Sequence, residues 1–299
     1  MTVKEPKTAF IAIVGCPNVG KSSILNRLLG EKIAIVSPKP QTTRTRIMGV
    51  LTKDETQLVF TDTPGYHKPK NKLGENMIHA VSEGIHDVDA CMLVVEPQGE
   101  IREAELTLIK KIGKEDIPAV LVINKIDTLE NKELLLARMA EFSKLCEFKA
   151  IIPVSAIDGY GLDDLLHELT GLAFPSEHLF PDDTLTDQPE KVIAAEYIRE
   201  KILKYVDKEI PHGTAVAIEL FRERSSGDML DIEATVYCEK ESHKGILIGK
   251  GGEMLKKISI GARRDMERFF DCRVNLKCWV KVKEDWRNRE GLIHNFGLD

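Results

Sequence analysis

GCPNVGKSS, residues 15–23, is the stretch on which the fold turns. Gly15 to Ser22 spell a complete G-x-x-x-x-G-K-[ST] pattern. The apolar run before it, AFIAIVG (9–15), reads as a buried strand, and a helix is predicted from about Lys21 to Leu29. Between a strand and a helix, glycines let successive backbone N–H groups converge on phosphate oxygens. The helix N-terminus adds its partial positive charge. Gly15, Cys16, Pro17, Asn18, Val19, Gly20, Lys21, Ser22 and Ser23 are therefore candidate phosphate-binding residues. Lys21 is expected to reach the β- and γ-phosphates, and the Ser22 hydroxyl to ligate Mg²⁺.

Three more fragments fix the nucleotide. Asp62, Thr63, Pro64 and Gly65 close the apolar run QLVFTD (57–62). There an Asp can hold Mg²⁺ through water, and a glycine N–H can sense the γ-phosphate. Asn124, Lys125, Ile126 and Asp127 follow PAVLVIN (118–124). The Asp127 carboxylate can accept both N–H donors of the guanine edge, a pattern adenine lacks. Asn124 can contact the other edge of the base, and the Lys125 stem can cover its face. Ser155, Ala156 and Ile157 end AIIPVS (150–155), where the Ala156 N–H can meet guanine O6. Taken alone, Asp62 could cap a helix and NKID could be a surface turn. Four fragments in order, each at the carboxyl end of a strand, place a guanine nucleotide where open α/β sheets bind ligands.

The intervening segments fit that plan. ACMLVVE (90–96) is a further strand and ELLLARMAEFSKL (133–145) a helix. Residues 1–174 are expected to form an α/β domain, a mostly parallel sheet with helices on both faces, closed by a helix from Leu162 to Ala173. SPKPQTTRTR (37–46) is polar and lies where a loop would close over metal and γ-phosphate. Thr43 is its candidate metal ligand, Thr42 the alternative. Ser22, Thr43 and Asp62 make up the expected metal set, and Lys21, Thr43 and Gly65 the expected catalytic set. GYHKPKNK (65–72) would be the second switch. Tyr66 stands where a water-positioning Gln would be, so slow intrinsic turnover is predicted. Arg44 and Arg46 either neutralise charge or face solvent or RNA.

The rear of the chain has a different character. FPSEHLFPDDTLTDQPE (174–190), with three prolines, reads as a linker over 175–190. Residues 191–299 begin with an amphipathic helix and continue with GTAVAIEL and MLDIEATVYCE, which alternate as half-exposed antiparallel strands do. RVNLKCWVKVK (273–283) puts Val274, Leu276, Cys278, Val280 and Val282 on one face. Between these strands GILIGKGGEMLKKI (245–258) reads as strand, turn and helix. The order is that of a KH module, whose G-x-x-G loop clamps nucleic-acid backbone. Ile248, Gly249, Lys250, Gly251, Gly252, Lys256, Lys257, Arg263 and Arg264 are the candidate RNA-binding residues. The same lysines on a solvated face, in a module that docks on protein, are the alternative.

Charge supports the division. The formal net charge is −6, yet residues 191–299 sum to +2, and residues 240–289 alone to +7. An acidic front and a basic rear suit different partners. The six cysteines form no C-x-x-C pair and match no histidine spacing, so neither disulfide partners nor a zinc site is expected. No apolar run reaches the ~20 residues of a membrane span, and MTVKEPKTAF lacks a secretion-signal core. A cytoplasmic monomer is expected.

With these motifs in place, the chain resembles the Era-like family of bacterial GTPases. GCPNVGKSS, QTTR, DTPG, NKID and SA match its GTPase motifs, and the helix–linker–KH half matches through VKVKEDW. The resemblance covers nearly the whole chain. It implies a type II KH domain and a ribosome-assembly factor that binds the 3′ end of small-subunit ribosomal RNA in its GTP state. It also implies peripheral contact with the inner face of the cell membrane. Family members lack the water-positioning Gln, in agreement with Tyr66, and some relatives with an Asn at the position of Asn18 use K⁺ as a charge stabiliser. On the residues alone three readings stay open: a GTP-gated RNA-binding switch, an NTPase whose rear domain docks on protein, and an RNA-binding module for which GTP is structural.

Overall fold

In a computed structural model of the chain, residues 5–66, 68–86, 88–225 and 227–298 are described. The chain divides into two compact units. The first comprises Met1–Ala34, Thr43–Lys68 and Met77–Asp187; the second comprises Ile35–Thr42, Pro69–Asn76 and Gln188–Asp299.

The sheet of the first unit is built on β1 (Lys7–Gly15), whose KTAFIAIVG sequence is buried from Thr8 onward apart from half-buried Phe10. Helix α1 (Lys21–Leu29) follows the phosphate loop and ends at Gly30 in the left-handed region. Strands β2 (Ile47–Lys53) and β3 (Thr56–Asp62) pair antiparallel. Only Asp54 and Glu55 join them, and Asp54 has φ 52°, a connection too short for anything but a hairpin. Next come α2 (Lys72–Glu83), β4 (Ala90–Val95), α3 (Glu103–Lys114), β5 (Ala119–Ile123), α4 (Lys132–Ser143), β6 (Ala150–Pro153), α5 (Leu162–Gly171) and β7 (Phe174–Pro175). The sheet order is β2-β3-β1-β4-β5-β6, with β7 antiparallel to β1. The β3-β1-β4-β5-β6 core is parallel throughout, so the carboxyl ends of β1, β3, β4, β5 and β6 share one edge. Strand β4 is buried at all six positions, as expected for a strand covered on both faces.

The proposed linker is less free than its prolines suggest. Both Leu179 and Phe180 donate backbone N–H bonds to Gln57 Oε1, and Gln57 Nε2 donates back to the Phe180 carbonyl at 2.9 Å. Further on, Thr186 Oγ1 donates to the Met48 carbonyl and Val50 N–H to the Leu185 carbonyl. Edge-strand polar groups thus take the linker as their partner.

The second unit consists of α6 (Glu190–Tyr205), β8 (Ala215–Glu223), β9 (Met229–Cys238), α7 (Glu241–Ile248), α8 (Glu253–Phe269), β10 (Arg273–Val282) and α9 (Glu290–Asn295), together with the two short segments named above. Its sheet runs β10-β9-β8, the first pair parallel and the second antiparallel with a bulge at Ile218/Leu220. Val274 and Val280 of β10 join Ile198, Ile202, Ile232, Ile258 and Met266 in one core. Two expectations are corrected here. The apolar ILI before GKGG is the last turn of α7, so the loop joins helix to helix rather than strand to helix. Helix α6 is not simply amphipathic: Tyr197 to Leu203 are all buried. Its polar residues have partners on that side. Glu200 accepts the Val36 N–H at 3.1 Å, Arg199 donates to the Thr42 carbonyl, and Lys201 bridges Glu200 and Asp265 of α8.

Candidate functional site

At the carboxyl edge of the first sheet, Gly15 (φ 152°), Asn18 (φ 65°) and Gly20 (φ 100°) turn the chain from β1 into α1. A Cβ on Gly20 would lie 2.1 Å from Asn124 Nδ2, so no larger residue fits. Lys21 is buried, and its ammonium donates back to the carbonyls of Gly15 at 3.2 Å and Cys16 at 3.1 Å. Burial lowers its pKa, opposed by the neighbouring Asp62 carboxylate.

Ser22, Thr43 and Asp62, scattered in sequence, meet in space. Ser22 Oγ donates to Asp62 Oδ2 at 2.6 Å and lies 3.0 Å from Thr43 Oγ1. Thr42 is turned elsewhere, its hydroxyl donating to the Lys39 carbonyl at 2.7 Å, so the geometry favours Thr43. Asp62 is fully buried, and desolvation pushes its carboxyl up to about 6 against the opposing pull of Lys21, Ser22 and Thr43. Asp62 Oδ1 is buried with no hydrogen-bond partner. One carboxylate and two hydroxyls, with an orphaned carboxylate oxygen, fit a hard cation such as Mg²⁺ that completes its shell with phosphate and water.

The fragment after Asp62 lies against the phosphate loop. Thr63 Oγ1 donates to the Ile13 carbonyl at 2.8 Å, and Tyr66 N–H to the Gly15 carbonyl at 3.1 Å. A Cβ on Gly65 would meet Pro17 backbone at 2.6 Å. The Tyr66 ring packs on the core beside α3, with Lys111 Nζ 5.4 Å from its centroid. His67, within the expected second switch, lies outside the described residues. Arg44 is buried, which removes the solvated reading for it, while Arg46 is exposed.

The fragments expected to read the base are cross-tied. Asn124 is buried; its Nδ2 donates to the Val19 carbonyl at 2.8 Å and its Oδ1 accepts the Ala156 N–H at 3.1 Å. That differs from the sequence expectation, which aimed both Asn124 and the Ala156 N–H at the base. Buried between β5 and the phosphate loop, the amide serves as a strut. Lys125 adopts φ 65°, which turns its side chain to Glu96 at 2.7 Å. Asp127 Oδ1 accepts the Ser155 hydroxyl at 2.7 Å. Ile157 is exposed, and the carbonyls of Ala156 and Ile157 both accept from Arg27 of α1. Arg27, Glu96 and Arg138 were not singled out in the sequence. Only Glu96 carried a signal, as the residue following β4 at the ligand-binding edge.

In the second unit the GKGG turn links α7 to α8. Gly249 (φ 76°), Gly251 (φ 60°) and Gly252 (φ 83°) all take positive φ. A Cβ on Gly249 would strike Met254 at 2.8 Å, whereas Gly251 and Gly252 face open space. Lys250, Lys256, Arg263 and Arg264 are exposed, and Lys257 reaches over the Tyr205 ring at 4.4 Å. The seven-residue spacing of Lys256–Arg263 and Lys257–Arg264 stacks these cations on one face of α8. Half-buried Ile248 and exposed Ile246 add apolar surface before the turn.

Fold and sites together define a P-loop GTPase joined to a KH module. The sequence model described as a 50S ribosome-binding GTPase matches residues 10–125, and the KH domain model matches residues 209–287. GTPase Era of Ruminiclostridium cellulolyticum is 48% identical over 97% of both chains, and that of Clostridioides difficile 47% identical over 98% of this chain and 99% of its own. Era in complex with MgGDPNP and nucleotides 1506–1542 of 16S ribosomal RNA superposes with TM-score 0.94 at 36% identity, covering 98% of this chain and 99% of that one. A single-substitution variant of Aquifex aeolicus Era bound to GDP·AlF4⁻ gives the same score and identity over the same shares. The chain belongs to the GTPase Era family and hydrolyses GTP. Among the described residues no helix is long and apolar enough to cross a membrane.

Proposed function

We propose that this GTPase binds single-stranded ribosomal RNA through its KH unit under control of the bound guanine nucleotide, and so assists assembly of the small ribosomal subunit. The observation that carries the gating is that neighbouring residues of one loop have different partners. Thr43 sits against Ser22 and Asp62, while the residues just before it are anchored to α6 through Arg199 and Glu200. Loss of the γ-phosphate, and with it of the metal contact at Thr43, would therefore act on the segment covalently continuous with it, which carries the Arg199 and Glu200 contacts. A module for which GTP is merely structural would need no such covalent neighbourhood.

The residues take the following roles in this reading. Backbone N–H groups of Gly15–Ser23 cradle the phosphates, Lys21 neutralises their charge, and Gly65 senses the γ-phosphate. Ser22, Thr43 and Asp62 would hold Mg²⁺, which would supply charge neutralisation at the phosphates. Asp127, oriented by Ser155, reads guanine, and Lys125 covers the base. Gly249–Gly252 admit RNA backbone closely, and Lys250, Lys256, Lys257, Arg263 and Arg264 hold its phosphates. The full-length relative carrying a 16S RNA fragment supports the small subunit over the 50S particle named in the match to residues 10–125 alone. Asn18, at φ 65° in the phosphate loop, is the residue that would serve a K⁺ ion; equal hydrolysis rates in sodium and potassium would remove that ion.

Affinity for a 16S 3′-end oligonucleotide, measured with a non-hydrolysable GTP analogue and with GDP, tests the proposal. Tighter binding with the analogue is expected. Equal affinities would leave a constitutive RNA binder, and no binding would leave a protein-docking module.

A further inference from the structure

Glu96 is the first residue beyond β4, and its side chain is about a quarter exposed at the same sheet edge as the nucleotide motifs. One carboxylate oxygen accepts Lys125 Nζ at 2.7 Å, the other accepts the Arg102 guanidinium. Arg102 also acts electrostatically on Cys16, the second residue of the phosphate loop. The backbone around Glu96 is also fixed. Buried Arg138 donates to the Glu96 carbonyl at 3.3 Å and the Gly99 carbonyl at 2.9 Å, and its guanidinium lies 3.9 Å from buried Glu105. Glu105 closes a reciprocal cap by accepting the Arg102 N–H at 2.8 Å.

These contacts form a support behind Lys125. A lysine stem carries four rotatable bonds, and leaving it free costs binding energy each time it must be ordered against a ligand. An anchor on its ammonium removes that cost and fixes where the methylenes lie. We infer that Glu96 is a positioning residue of the guanine site: it holds Lys125 across the base face, and Arg102 keeps the carboxylate from swinging away. This rests on the guanine-site reading above. Glu96 touches no phosphate in this scheme, so its effect falls on nucleotide retention and not on the hydrolytic step.

The test is stopped-flow release of fluorescent GDP from the full-length protein, with single-turnover hydrolysis of prebound GTP. Glu96→Ala is expected to speed release about tenfold, the scale of one charge-assisted hydrogen bond. Single-turnover hydrolysis stays within about twofold, because the charge lost is not on the phosphates. Glu96→Gln, which keeps the volume and one acceptor, gives a smaller increase and serves if the alanine variant fails to fold. In a Lys125→Ala background, Glu96→Ala adds nothing, since the anchor then has nothing to hold. Release at the parental rate in both Glu96 variants, or a full additive effect in the Lys125→Ala background, would overturn the inference while leaving the guanine site intact. A parent protein that binds no GDP would instead overturn the site reading, and the inference with it.

Discussion

The Ser155 hydroxyl donates to the Asp127 carboxylate at 2.7 Å, across 28 residues of sequence and from the loop after one strand to the loop after its neighbour. Ser155 also lies 3.2 Å from Asp158, so the hydroxyl sits at the centre of a small acidic turn. One bond from a neutral donor fixes the carboxylate proposed to read the base and leaves it acceptor capacity on both oxygens for a ligand.

On the proposed reading, base selectivity is expected to rest on that carboxylate. Asp127→Asn exchanges an acceptor for a donor and is expected to move preference from guanine toward xanthine nucleotides. Ser155→Ala frees the carboxylate and weakens GTP by roughly five- to tenfold without changing the preferred base, the scale of one hydrogen bond. Competitive titration with GTP and XTP measures both. Unchanged selectivity in Asp127→Asn would remove Asp127 from the base-reading role.

Gly20→Ala is expected to abolish nucleotide binding and to cost about 2–3 kcal/mol of stability, by strain at a positive φ together with a clash. Its Cβ would fall 2.1 Å from Asn124 Nδ2 at φ 100°. Gly30→Ala is the control: φ is 75° there, but nothing lies within 4 Å. It should cost about 1 kcal/mol and leave nucleotide affinity unchanged. Urea denaturation and GDP titration separate the two effects.

The KH turn offers a cleaner lesion. Gly251→Asp enters open space at φ 60°, a region that Asp tolerates better than most residues. The fold and GTP binding should therefore survive, while a new negative charge beside Lys250 repels RNA phosphate. At least a tenfold loss of RNA affinity is expected, on the scale of charge effects at a backbone clamp. Parental RNA affinity in a folded variant would take the turn out of the interface.

Asp231 lies on β9, where the Arg224 guanidinium, with help from Asn275, holds its carboxyl well below the ordinary range. A depressed carboxyl stabilises the fold above its unfolded value near ~4, and that contribution fades as pH falls toward the folded value. Asp231→Asn should lower the melting temperature at pH 7, and the gap to the parent should narrow as pH falls below about 4. A gap independent of pH would assign the loss to packing instead.

The residues that could be read in the sequence were those whose chemistry is local. GCPNVGKSS, DTPG and NKID carry their own backbone requirements, and each emerged at the end of a strand as expected. What escaped depended on partners distant in sequence. Nothing in TLTDQPE indicates that Leu185 and Thr186 would bond to the edge strand β2. The ILI of residues 246–248 is too short for its period to separate strand from helix. In sequence the α6 segment reads simply as an amphipathic helix, and only the Ile35–Thr42 segment and Asp265 show why Arg199, Glu200 and Lys201 are buried. Arg27 and Arg138 bond mainly to backbone carbonyls, which leave no trace in a motif.

The side chain of Asn124 joins the loop that grips phosphate to the loop that follows β6, through the carbonyl of Val19 and the N–H of Ala156. For anyone redesigning this pocket, the proposed base choice and phosphate grip are mechanically one part at that amide and two parts at Asp127. An orthogonal variant, tuned to an unnatural nucleotide, should be built by editing the carboxylate and leaving the crosspiece alone.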